Sequence, residues 1–158
     1  MLNSWSVPVI SEAAVVHTLA SSSMMRTRAS MLAAVPQADL VVMNPSHFAV
    51  ALRYQEGQMS APKVVAKGID HVAKSIKDLA AEHKVPQLEI PYLARALYKH
   101  VELDREIPPS LYTAVAKVLA YLYTVDRGDI DESVLPTESD IPEGMDPGAM
   151  HEPDGERN

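Results

Sequence analysis

The stretch "VVMNPSHFAV", residues 41–50, sets a turn signal between two apolar runs that both read as strands. Asn44 tolerates turn conformations, but Pro45 has a fixed φ and no backbone N–H to donate. Two-residue hairpins favour residues that reach positive φ, which a proline cannot. As a plain hairpin hinge the dipeptide is a poor choice, and it points instead to chemistry.

Working outward, "ADLVVMN" reads as a buried strand and "HFAVALRY" as a second, with Phe48, Val50 and Leu52 on one face. "KVVAKG" is a third short strand, and "VPQLEI" a fourth. Between those two, "IDHVAKSIKDLAAEHK" carries Ile69, Val72, Ala73, Ile76, Leu79 and Ala80 at helical spacing. Lys74, Lys77, Asp78 and Glu82 fall on its water-facing side. A helix through "YLARALYKH" opens on Pro91, which suits a first turn. The last helix, "IPPSLYTAVAKVLAYLY", has Leu111, Val115, Val118, Leu119 and Leu122 as its apolar stripe. Upstream, "MMRTRASMLAAV", Met24 to Val35, predicts a short helix stopped by Pro36. Strands alternating with helices predict a small α/β fold, about four strands in one sheet covered by helices, with the helix at 69–83 joining strands three and four in parallel.

Composition narrows the function classes. The net charge of −7 is uneven: residues 126–158 hold 11 acidic and 2 basic residues, whereas residues 1–125 are near neutrality. With so few large apolar side chains, 126–158 predicts a disordered acidic tail. A near-neutral body gives no case for nucleic-acid binding, which needs a basic face. No cysteine is present, so disulfides and thiolate chemistry are excluded. No run reaches the ~18 consecutive apolar residues of a membrane span. Residues 1–23 are weakly patterned and end in "SSS"; they stay unassigned, and the folded domain is placed at 24–125.

Asn44–Pro45 closes one reaction and leaves another. In ordinary asparagine ageing the next backbone nitrogen attacks the side-chain carbonyl, and Pro45 has no N–H to do so. The converse remains, in which the Asn44 side-chain nitrogen attacks the Asn44 backbone carbonyl, forms a succinimide and expels the Pro45 nitrogen. A neutral amide is a weak nucleophile, so the turn must align it and donors must stabilise the oxyanion. The dipeptide alone is weak support, because Asn-Pro occurs in many turns.

Its context is more specific. "AAVPQADLVVMNPSHFAVALRY", "APKVVAKGIDHVAKSIKDLAAEHKVP" and "YLARALYKHVELDREIPPSLYTAVAKVLAYLY" together resemble the cytoplasmic domain of the FlhB/YscU family, closest to its flagellar branch, over about residues 24–125. The resemblance implies a component of the type III export gate that cleaves itself between Asn and Pro in a tight turn, keeps both fragments together and switches the class of exported substrate. It carries Asn44 and Pro45 over as the scissile pair, with Ser46 and His47 completing the turn. It further implies a location at the cytoplasmic face of the inner membrane. The implied partners are other gate components, flagellar export substrates or a hook-length control protein, and the chain's own cleaved fragment.

The family signature has Thr where Ser46 stands, so the hydroxyl is kept and the β-branch is lost. The family's membrane helices and charged linker are also missing, which predicts either a membrane-free paralogue or a fragment. The rival reading is a non-cleaving, membrane-free interaction module at the export gate. A hydrolase built on Ser46 and His47 is disfavoured, because strand neighbours point to opposite faces. The reaction expected is a single intramolecular turnover rather than an enzyme's many. His17, His47, His71, His83, His100 and His151 show no metal-ligand spacing, and no cofactor is expected. Lys63, Lys67, Lys74 and Lys77 read as a solvated face, with docking as a second role.

Overall fold

The computed structural model describes residues 26–45 and 47–147. The chain divides into two units, Met1–Met31 and Leu32–Asn158. The sequence reading of residues 1–23 lies outside the described residues. So do Met24 and Met25, and the helix expected from Met24 to Val35 is shorter: α1 spans Arg28–Leu32. Thr27 caps it, its Oγ1 accepting from the Ser30 N–H at 3.0 Å. Pro36 lies in a separate 3₁₀ turn, Val35–Gln37.

The second unit is built on one four-stranded mixed sheet. Its strands are β1 (Leu40–Asn44), β2 (Phe48–Arg53), β3 (Lys63–Ile69) and β4 (Gln87–Glu89), in spatial order β3-β2-β1-β4. β1 and β2 run antiparallel from Leu40↔Leu52 to Asn44↔Phe48, and β2 and β3 are likewise antiparallel. β4 pairs parallel to β1 through Val41↔Gln87, Val42↔Leu88 and Met43↔Glu89. Strands three and four do run in the same direction, as expected, but they occupy opposite edges of the sheet. The helix between them, α2 (Asp70–Glu82), therefore crosses one whole face.

Side-chain alternation divides the core between the two faces. Leu40, Val42, Val50 and Leu52 point into one cluster with Leu93, Leu97, Leu111, Val115 and Val118, contributed largely by α3 (Pro91–His100) and α4 (Tyr112–Asp126). Phe48 packs at the margin of this cluster, so the face read from Phe48, Val50 and Leu52 is the observed one. The other face of the sheet lies against α2, whose buried residues are Ala73, Ile76 and Ala80. Small residues, Ala49 and Ala51, fill β2 on that side and let the helix approach closely. Each fully buried Leu, Ile or Val stabilises the fold by about 1.5–3 kcal/mol.

β3 runs into α2 without a loop. Ile69 ends the strand, Asp70 turns the chain at φ 48°, and helix follows. Gly68 makes this possible: a Cβ there would lie 2.2 Å from Val72 Cγ1 and 2.6 Å from Val72 Cβ. Only a residue without a side chain fits under the first turn of the helix.

The acidic segment departs from expectation. Residues 126–147 are not a loose tail up to the last described position, because they fold back onto α3 and α4. Ile141 is buried in the main cluster, with Leu135 and Met145 packed beside it. The Tyr92 hydroxyl donates to the Pro136 carbonyl at 2.7 Å, and Lys117 Nζ donates to both Asp140 oxygens at 3.0 Å. Arg95 holds the buried Asp146 through two bonds of 2.7 and 2.9 Å. Composition hid this, because three spaced apolar anchors and two basic partners on distant helices are enough to dock an otherwise polar segment. Residues 148–158 lie outside the described residues.

Candidate functional site

The sequence-predicted site sits at the turn joining β1 to β2. The pair Asn44↔Phe48 closes the ladder, so the loop between them is the three residues 45–47. The two-residue hairpin that Pro45 would spoil is therefore not the one formed. In a β-turn of Asn44 to His47, Pro45 occupies the second position, where its fixed φ is favourable. Asn44 is half-buried at the strand end, whereas Pro45 and His47 are exposed. Ser46 lies outside the described residues.

All three described carbonyls of this turn accept hydrogen bonds. The His47 N–H donates to Asn44 O at 2.9 Å. Lys77 Nζ, from α2, donates to Pro45 O at 2.8 Å. The Asp70 N–H, at the start of α2, donates to His47 O at 3.0 Å. The turn is thus held to itself at its first residue and to α2 at the two others. Among the described residues, none hydrogen-bonds the Asn44 carboxamide. Asn44, Pro45 and His47 share this one turn, whereas Lys77, read from the sequence as part of a solvated helix face, reaches it from α2. A hint lay in the missing β3–α2 loop, which sets the helix beside the hairpin.

Beside the turn, the Phe48 and Tyr98 rings meet tilted at 48° with centroids 5.2 Å apart, and the His47 ring meets Phe48 edge-on at 6.2 Å. Lys67 Nζ lies 5.0 Å over the Tyr98 ring and donates to Tyr98 O at 2.9 Å and Val101 O at 2.8 Å. Lys67 is therefore not part of a solvated face. It caps the last turn of α3, where a cation meets the negative end of the helix dipole. Burial lowers the pKa of its ammonium, with Glu102 acting in the opposite direction.

A cleft of about 560 Å³ runs between the turn and α2, lined by Pro45, Asp70, His71, Ala73, Lys74, Lys77 and Asp78. Among the described residues no group of His, Asp and Glu is arranged to hold a metal ion. None of their helices is long and apolar enough to cross a membrane.

Residues 17–122 match the family described as FlhB HrpN YscU SpaS. The chain belongs to this family. It is 49% identical over 122 residues to the flagellar biosynthetic protein FlhB of Yersinia enterocolitica and 50% identical over 122 residues to that of Escherichia coli K12. Each alignment covers 75% of this chain and 32% of the relative, so the chain spans about a third of the length of these curated proteins. The crystal structure of the FlhB cytoplasmic domain from Shewanella putrefaciens superposes with a TM-score of 0.65 at 38% identity, covering 76% of this chain and 95% of that one. A proline-to-alanine mutant of the EscU C-terminal domain superposes at 0.55 with 29% identity, covering 65% and 94%. The fold is thus of the FlhB type, and it is the expected α/β arrangement of one four-stranded sheet covered by helices.

Proposed function

We propose that this chain is a self-cleaving switch and docking domain of a flagellar type III export apparatus, cutting itself once between Asn44 and Pro45. The observation that carries the reading is the 2.9 Å bond from the His47 N–H to Asn44 O, the carbonyl oxygen of the scissile peptide. When Asn44 Nδ2 adds to that carbonyl carbon, its oxygen becomes an oxyanion with a backbone donor already in place. The C–N bond to Pro45 then breaks, the proton shed by Nδ2 is balanced by one gained at the Pro45 nitrogen, and Asn44 is left as a succinimide that water opens. No cofactor enters this sequence. The EscU C-terminal domain, 29% identical to this chain, likewise carries an asparagine followed directly by a proline, the pair that stands here at Asn44–Pro45.

The domain acts at the cytoplasmic face of the inner membrane, against other gate components and the substrates they receive. The test is the intact mass of purified protein with time. Fragments 1–44 and 45–158 are expected, the first appearing initially one water lighter as the succinimide. Asn44→Ala protein stays one chain, because the attacking nitrogen is gone. A parent chain that stays whole in its folded state supports instead a non-cleaving docking module, and scission of Asn44→Ala at the same bond refutes side-chain attack.

A further inference from the structure

Among the described residues, Lys77 is the one whose side chain hydrogen-bonds the turn backbone, and it reaches it from another element. Its ammonium donates to Pro45 O at 2.8 Å. It stands two turns into α2, and that helix is fixed to the turn independently by the bond from the Asp70 N–H to His47 O. With Gly68 seating the first turn of α2 against the end of β3, the helix presents Lys77 from a rigid support rather than from a loop. Lys74, one turn earlier, is instead paired with Asp78 at 3.1 Å. The two lysines of this face therefore do different things.

We infer that Lys77 is a positioning residue for the scission, an inference that rests on the self-cleaving reading. Pro45 O belongs to the residue whose nitrogen is the leaving group. With φ fixed by the pyrrolidine ring, the rotation that remains in Pro45 is ψ, and the position of Pro45 O reports it. Holding that oxygen ties the residue that carries the leaving nitrogen to α2, the same helix whose first N–H holds His47 O, so both described residues after the scissile bond are referred to one support. Lys77 thus acts on the reacting carbonyl through the turn and touches no reacting atom. Holding reacting groups in near-attack geometry is the source of acceleration available to a neutral nucleophile. The bond is charged and solvent-facing, so its effect on rate is modest and sensitive to salt.

The test is cleavage of the parent, Lys77→Met and Lys77→Arg chains after refolding at one pH, followed by intact mass at low and high salt. Melting temperatures are recorded on the same substitutions in the uncut Asn44→Ala background. Lys77→Met is expected to slow scission about three- to fivefold at low salt, with the difference shrinking at high salt. Lys77→Arg, which keeps a charged donor, is expected to restore most of the rate. A Lys77→Met chain that melts lower but cleaves at the parental rate has lost only a structural contact, and that overturns the inference. So does an Arg variant as slow as the Met variant at equal melting temperature. If the parent itself stays whole, the self-cleaving reading falls and the positioning role with it. The ¹³C shift of the Pro45 carbonyl, compared between Asn44→Ala and Asn44→Ala/Lys77→Met, then shows whether the bond exists as a plain tether.

Discussion

Cutting the chain at Asn44 should leave its two parts joined, and Leu40→Ala in the cut protein measures how firmly. Leu40 is fully buried, opposite Leu52, in the cluster formed by the sheet, α3 and α4. It belongs to fragment 1–44, while its partners Leu52, Leu93 and Leu97 belong to fragment 45–158. A buried Leu→Ala change costs about 2–5 kcal/mol through lost transfer energy and the cavity left behind. Taking about 3 kcal/mol, at 1.4 kcal/mol per tenfold, the dissociation constant of the fragments should rise about 10²-fold. In the uncut Asn44→Ala background the same change should cost similar unfolding free energy and release nothing. The assay is sedimentation of the cut protein across a dilution series, paired with urea unfolding of the uncut one. If Leu40→Ala destabilises the uncut chain as stated while the cut chains separate at the parental concentration, then β1 does not keep its place after scission.

Ser46→Ala should slow scission by about tenfold or less, because the donor to Asn44 O is the His47 backbone, and Ser46→Thr should accelerate it by restricting χ1; equal rates for all three residues in intact-mass time courses would make position 46 a turn residue only. Gly68→Ala forces a methyl into Val72 and should destabilise by about 1–3 kcal/mol in urea titration, with Val72→Ala added to it recovering part of the loss; a neutral Gly68→Ala would refute the close seating of α2. The Asp140 carboxyl is held below its usual pKa by the Thr137 N–H and by Lys117. That contribution is present above the unfolded value and is lost as pH falls through the depressed folded one. Acid should thus release the segment around Asp140, seen as loss of protection at the Thr137 amide, and Asp140→Asn should flatten that response.

Periodicity carried the strands and helices because their faces are set by local spacing: Val50 and Leu52 alternate, and Ala73, Ile76 and Ala80 recur every three or four residues. The candidate turn was legible for a different reason, since Asn44–Pro45 leaves few chemical uses for its side chain. What escaped depends on distance along the chain. Lys67 and Lys77 look alike in sequence, yet one caps α3 through carbonyls more than thirty residues away and the other reaches back to Pro45. Likewise Ile141 gives no periodic signal among prolines and acids, and its burial depends on a pocket built by helices that precede it. The three-residue loop was missed because register follows from the whole ladder, down to Asn44↔Phe48, rather than from the dipeptide.

β1 lies inside the sheet rather than at its rim, gripped by five paired positions on β2 and three on β4. Both neighbours lie on the far side of the Asn44–Pro45 bond. Once that bond is open, a pull applied along β1 from the Leu40 end meets two ladders in shear, and their rungs bear the load together instead of parting one by one. The severed turn then behaves as a lap joint. A strand at the rim would hold by one seam; this one must tear two at once, so the chain can lose its covalent link and still transmit tension across the break.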